Sequence, residues 1–122
     1  QQIHAFYCAG DLFICASQWE EPLARVHYEA MATGLPIITT RRGGNPEVVE
    51  GYGNGLVLDA WNQPQAFADA VRWMFEHPLE ANEMGRRGRA AAEANFTWRR
   101  VADELKETFL SGQGGVRQWN FR

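Results

Sequence analysis

Cysteine is scarce in this chain: two residues, Cys8 and Cys15, among 122. Two cannot build a disulfide scaffold, and the absence of Cys-x-x-Cys or a Cys/His cluster excludes a structural zinc site. Both sit among apolar neighbours, in Phe6-Tyr7-Cys8-Ala9 and Phe13-Ile14-Cys15-Ala16. The expectation is a pair of buried, reduced thiols in a cytoplasmic protein. Long apolar runs are missing too. None approaches the roughly 18 to 20 residues that span a bilayer, and the first residues lack a basic-then-apolar signal. There is no excess of positive charge: 12 Lys+Arg against 15 Asp+Glu leave a net charge of −3. That balance argues against a dedicated nucleic-acid binder. What remains, 45% hydrophobic and 22% charged residues, is the composition of a globular domain rather than of a disordered chain.

Apolar periodicity changes character along the chain. Ile3 to Tyr7 reads as helix. Leu12-Phe13-Ile14-Cys15-Ala16 is a short continuous apolar run bounded by Gly10-Asp11 and Ser17-Gln18, which suits a strand buried on both faces of a parallel sheet. Residues 24–33 are helix formers, ended by Gly34 at the position where a left-handed glycine closes a helix. Pro36 to Thr40 reads as a second strand, with proline tolerated at its first position. Asn45-Pro46-Glu47 opens a short helix, with Asn as the cap, Pro at the first helical position and Glu at the positive end. Gly55 to Asp59 is a third strand.

From Pro64 onward the pattern is helical. Phe67, Val71, Met74 and Phe75 recur at helical spacing until His77-Pro78 interrupts them. Residues 79–95 form a further helix that carries Arg86, Arg87 and Arg89 as a solvated face. Thr97 caps a last one, with Trp98, Val101, Leu105 and Phe109 on one side. Ser111 to Gly115 reads as a linker, which divides the chain into a domain over 1–110 and a Gly-rich linker and tail over 111–122. Strands alternating with helices predict an α/β, doubly wound layout of three parallel strands with flanking helices. Open sheets of this kind usually have five or six strands. The expectation is therefore a partial Rossmann-like domain, with an exposed edge on the first strand that invites self-association.

In such sheets, ligands bind beyond the carboxyl ends of the strands, where helix amino termini favour anions. Two loops fall there, Ser17 to Ala24 and Thr40 to Asn45. Gly43-Gly44 permits positive φ and close backbone approach, so its amides could line a phosphate-sized hollow; a plain turn fits the same pair. Glu21 and Glu29 stand eight positions apart. Counted as helix, that spacing puts both on one side, about 12 Å apart along the axis. Paired glycosidase carboxylates lie nearer, at about 5 to 9.5 Å. The wider gap suits two acceptors at opposite ends of one longer ligand with a charged middle, such as a diphosphate; a solvated Glu at the helix entrance and another on its face fit the same spacing, and more simply while the pair stands alone.

The stretch from Ser17 to Thr40, with Glu21-Pro22 leading to Glu29-Ala30-Met31-Ala32-Thr33-Gly34-Leu35-Pro36, resembles the signature region of family 4 glycosyltransferases. The likeness continues through Gly43-Gly44-Asn45-Pro46-Glu47-Val48-Val49, Asn54 to Leu58 and Phe96-Thr97-Trp98, and covers residues 1–110. Within the family, Glu21-Pro22-Leu23-Ala24-Arg25-Val26-His27-Tyr28-Glu29 is most similar to the spore-coat branch. These are retaining enzymes of the GT-B fold, built from two Rossmann-like domains, and the resemblance places this chain in the second half of the carboxy-terminal, nucleotide-sugar-binding domain.

The resemblance implies the following roles. Glu21 contacts hydroxyls of the transferred sugar and is the catalytic-site residue. Glu29 binds the ribose hydroxyls, the amides of Leu23 and Ala24 meet sugar and diphosphate, and Gly43 and Gly44 shape the adjoining wall. The reaction is hexosyl transfer, with retention, from a nucleoside-diphosphate sugar to an unspecified glycosyl acceptor. No cofactor, metal, nucleic acid or transmembrane segment is implied. An Arg and a Lys that neutralise the leaving diphosphate in such enzymes precede this region, so these 122 residues alone are expected to be inactive. Leu23-Ala24 stands where the family usually has Phe-Gly, Arg25 and His27 replace residues that are commonly apolar, and Ala16 stands where proline often precedes the serine. These departures bear on the donor's sugar. The alternatives are a sugar-nucleotide epimerase of the same fold and a non-catalytic sugar-nucleotide-binding or coat-assembly module.

Other residues read more plainly. His27 suits either a general acid or a packed histidine. His4 and His77 read as surface residues. Arg41-Arg42 fits a diphosphate contact or a solvated basic pair. Most of the five tryptophans fall at core spacing, with Trp19, beside the glutamates, as the exception.

Overall fold

The computed structural model describes residues 2–111. The expected linker and tail lie outside them, apart from Ser111, which ends the last helix. In chain order the elements are α1 (Gln2–Cys8), β1 (Phe13–Cys15), α2 (Val26–Thr33), β2 (Ile37–Thr40) and α3 (Asn45–Tyr52). They continue with β3 (Gly55–Leu58), α4 (Pro64–Glu76), α5 (Pro78–Asn95) and α6 (Trp98–Ser111). The three strands pair in parallel in the order β1-β2-β3. The α/β layout read from the sequence is the one observed.

The middle strand explains the two layers. All four residues of β2 are buried, and successive side chains of a strand point to opposite faces. Ile37 joins a cluster with Ala30, Met31 and Leu35, Val48 and Val49 of α3, and Ala91 and Ala92 of α5. Ile38 points the other way, into a cluster with Ala70 and Met74 of α4 and Ala81 of α5. Burying such a side chain contributes about 1.5–3 kcal/mol, so the short β2 anchors both faces at once.

Several expectations change against the structure. β1 is not buried on both faces: Ile14 is 43% exposed, because the strand lies at an edge of the sheet and pairs only with β2 among the described residues. Cys8 is exposed and Cys15 half-buried, both as free thiols; α1 and β1 sit at the margin where apolar neighbours do not guarantee cover. The second helix begins at Val26 rather than at residue 24. Gly44 caps α3, and Asn45 stands one residue further in. His77-Pro78 does end the run of α4, at Glu76, but Pro78 is itself the first residue of α5, one position before the expected start. Trp98, Leu105 and Phe109 are more than half exposed, so the apolar face of α6 is solvent-facing. None of the four described tryptophans is buried. His77 is no plain surface residue: its ring stacks on Trp73 at 4.5 Å and its Nδ1 lies 2.8 Å from the Trp73 carbonyl.

Helices α2 and α5 approach closely because α5 presents small residues. Gly85, Gly88, Ala91 and Ala92 are buried along it, while Arg86 and Arg89 pair with Glu83 and Glu93 on the solvated side. A Cβ at Gly85 would fall 2.1 Å from the backbone oxygen of Gly34. Backbone cannot yield cheaply at such a contact. Gly85→Ala is therefore expected to lose about 1–3 kcal/mol of stability, the usual cost of overpacking, measured as a lower urea midpoint with an unchanged slope.

Candidate functional site

The parallel sheet sends the loops after β1 and β2 to the same end, and there they interlock. Gly43 has a φ of +54°, a region that favours glycine. A Cβ on Gly43 would lie 1.6 Å from the Glu21 carbonyl oxygen, and one on Gly44 would lie 1.9 Å from that of Pro22. The Gly44 amide donates to the Glu21 carbonyl at 2.9 Å, and the Gly43 amide donates to Glu20 Oε2 at 2.7 Å. The glycine pair does permit close backbone approach, as its sequence suggested. What approaches is the Glu21-Pro22 backbone of the same chain, and both glycine amides already hold protein oxygens.

Glu21 is fixed from several sides. Its carboxylate accepts a hydrogen bond from the Ser17 hydroxyl, and Ser17 is itself tied to β2, because Thr40 Oγ1 donates to the Ser17 carbonyl at 2.7 Å. Glu29 stands on α2 and accepts from the Tyr7 hydroxyl at 2.9 Å. Burial and this bond push the Tyr7 phenol up to about 12. A carboxylate offers about four acceptor positions, so one phenol leaves Glu29 free to take further hydroxyls.

The residues are brought together unevenly. Glu21, Gly43 and Gly44 meet directly. Glu29 lines a cleft of about 270 Å³ with Tyr7 and Thr33, and another of about 390 Å³ with Arg25, Tyr28, Phe96 and Trp98. Neither cleft reaches Glu21 or the glycine bend. The helical count between the two glutamates does not hold either, since residues 21–25 precede α2. Leu23 and Ala24 lie in that non-helical segment, half-buried. The Ala24 amide points to Asn45 Oδ1 at 3.4 Å, whereas those of Leu23, Arg25 and Val26 find no acceptor among the described residues.

The basic pair is committed within the chain. Arg41 grips Glu50 through two nitrogens, at 3.1 and 2.6 Å, and also pairs with Asp59. These bonds raise the guanidinium's pKa and lower that of the Glu50 carboxyl. Arg42 pairs with Glu20 at 2.7 Å and lies over the Trp61 ring at 4.4 Å. Trp19 is 77% exposed. Among the described residues no group of three or more His, Cys, Asp or Glu is placed to hold a metal, and no helix is long and apolar enough to cross a membrane.

His27 resolves as a packed histidine, fully buried. Burial lowers its pKa, opposed by its bond to the Ala24 carbonyl and by the charge of Glu21. The sequence placed Ser17, Glu20 and Asn45 in the two loops at the site but did not give their partners there, and it did not point to Tyr7. Tyr7 and Glu29 are 22 positions apart and Glu20 and Gly43 are 23, distances that no local spacing encodes.

The neighbours with this architecture are glycosyltransferases of the GT-B fold. HepE of Anabaena in complex with UDP aligns with a TM-score of 0.80 at 27% identity, over 87% of this chain and 29% of that one. The same protein in complex with UDP-glucose aligns with a TM-score of 0.78. Residues 1–91 match the family described as Glycosyl transferases group 1, and the chain belongs to it. Spore coat protein SA of Bacillus subtilis (strain 168) is 45% identical over 109 residues, 89% of this chain and 29% of that protein. The putative glycosyltransferase YtcC of the same strain is 47% identical over 105 residues, 86% of this chain and 26% of that protein. This chain thus spans less than a third of the length of these relatives.

Two outcomes follow from the geometry. Gly44→Ala sets a methyl against the Pro22 carbonyl and is expected to cost about 1–3 kcal/mol, read by urea unfolding. His27 is held neutral, so its contribution is complete above its ordinary pKa of 6.5. Below that pH the unfolded chain takes up a proton that the folded chain refuses. Stability should therefore fall with pH by up to about 1.4 kcal/mol per unit until the depressed folded-state pKa is reached. His27→Leu should remove that part of the slope in urea titrations from pH 8 to 5.

Proposed function

We propose that this chain forms part of the donor site of a retaining glycosyltransferase, which transfers a hexosyl group from a nucleoside-diphosphate sugar. One observation carries the reading: at the carboxyl end of the sheet, the Glu21 loop is locked onto Gly43-Gly44, ahead of an α2 amino terminus that keeps unclaimed amides. Such a terminus carries about half a positive charge and suits an anion. The family membership and the neighbours described with UDP and UDP-glucose support the same substrate class. Glu21 then serves the sugar hydroxyls, and Glu29, steadied by Tyr7, serves the ribose. The unclaimed amides of Leu23, Arg25 and Val26 suit the diphosphate better than that of Ala24, which is turned toward Asn45. The likeness to spore coat protein SA favours a second reading, a binding module that keeps the site without turnover.

Calorimetry on the full-length protein with UDP, ADP and GDP tests donor binding, and incubation with the matching nucleotide sugars tests turnover. Anomeric analysis of the product by NMR reads retention. Glu29→Gln is expected to weaken nucleoside-diphosphate binding by about tenfold or more, since a hydrogen bond to a charged group is worth about 1.5–3 kcal/mol. Glu21→Gln should reduce turnover far more than it reduces affinity for the nucleotide alone. Binding without any turnover would favour the module, and no binding of any nucleoside diphosphate would overturn the donor site itself.

A further inference from the structure

We propose that His27 is a positioning residue for donor binding: its Nδ1–H holds the Ala24 carbonyl and so fixes the loop over residues 22–25 ahead of α2, while Thr39 of β2 orients the ring. The inference rests on the nucleotide-sugar reading above and adds to it a residue outside the roles assigned there.

His27 uses both ring nitrogens. Nδ1 lies 3.0 Å from the Ala24 carbonyl oxygen and Nε2 lies 3.0 Å from Thr39 Oγ1. A carbonyl can only accept, so Nδ1 carries the hydrogen and donates it. In the neutral ring Nε2 then has a free lone pair, which takes the Thr39 hydroxyl hydrogen at 3.0 Å in competition with the more distant Cys15 carbonyl, 3.4 Å from the same hydroxyl. One tautomer satisfies both ends, without a charge in the core. The ring plane is held by Phe13, whose ring meets it nearly edge-on at 79° with centroids 6.2 Å apart.

The bond falls on a critical peptide. The Ala24 carbonyl also accepts the His27 amide at 3.1 Å, the first turn leading into α2. On its other side, the Ala24 amide points to Asn45 Oδ1 at 3.4 Å, and Asn45 is likewise fully buried. Two buried polar side chains, one on α2 and one on α3, therefore hold Ala24 between them. Its neighbours Leu23, Arg25 and Val26 carry the amides without acceptors, and their direction depends on how Ala24 is held. An apolar residue of similar size would fill the same space at a smaller desolvation cost, but would leave the Ala24 carbonyl with its local turn bond alone. The anchor to Thr39 would be lost.

The test separates this role from plain core packing through the geometry of the replacement. In His27→Asn the amide nitrogen can stand close to the place of Nδ1 and keep the Ala24 bond. In His27→Gln the amide oxygen reaches toward Thr39 and can accept its hydroxyl hydrogen, and the Ala24 bond is given up. His27→Leu removes both. UDP affinity of the full-length protein is measured by calorimetry, and urea midpoints are measured separately. The expected result is a loss of affinity of about tenfold in the Leu and Gln variants, with the Asn variant within about threefold of wild type. Imidazole ¹⁵N shifts of the wild type should show the Nδ1–H tautomer. Should the Leu variant not fold, the contrast between Asn and Gln decides. Wild-type affinity in folded Leu and Gln variants would overturn this inference alone. A wild-type protein that binds no nucleoside diphosphate would overturn the donor reading, and this inference with it.

Discussion

The contact between Glu21-Pro22 and Gly43-Gly44 is the constraint on which the site depends. At its centre the loop after β1 meets the loop after β2 backbone to backbone, and the Glu20 carboxylate on the Gly43 amide and Asn45 on the Ala24 amide reinforce the join. Any Cβ at either glycine would collide with a carbonyl oxygen, at 1.6 or 1.9 Å. Once the loops are locked, Glu21 can sit only where Ser17 meets its carboxylate, and Ser17 in turn hangs from Thr40. The chain of restraints runs back to β2, the strand buried on both faces. Site and core are thus held by the same four residues.

How much of this could be read from the sequence depends on how local each cause is. The three strands, their parallel order and the helices between them follow from apolar runs and glycine punctuation, and these are local signals. Gly34 at a φ of +80° closes α2 as its position implied. Exposure of Ile14 and of the α6 apolar face was not legible, since an apolar pattern records what a residue can bury rather than what lies opposite. The shift of the cap from Asn45 to Gly44 has a tertiary cause. Asn45 turns its oxygen toward Ala24, on a different loop, and cannot also cap its own helix.

The candidate site divides along the same line. Glu21, Glu29 and the glycine pair are visible because their spacing forms a recognisable motif. Their partners are invisible because they come from elsewhere: Tyr7 from α1, Glu20 to Gly43 across two loops, Thr39 from β2. The expected phosphate hollow at Gly43-Gly44 also illustrates the difference between a residue type and its use. Glycine announced that a backbone would come close, and only the fold could say that the backbone was the chain's own.

Charge gives the last step. A helix amino terminus supplies about half a unit of positive charge, which falls short of what a diphosphate carries. Arg41 and Arg42 stand at the right end of the sheet but are already neutralised, by Glu50 and Asp59 and by Glu20. Recruiting either one for a ligand would strand a carboxylate close to an incoming anion, so neither is a ready counter-ion. Arg25, at the threshold of α2 beside Glu29 in the larger cleft, makes no ion pair among the described residues. Leaving-group stabilisation is governed by preorganised positive charge. On these grounds, if the proposed donor site is right, the described residues would offer it amides and acceptors, with Arg25 beside Glu29 as a cation outside any ion pair among them, and would be better suited to holding a donor than to discharging it.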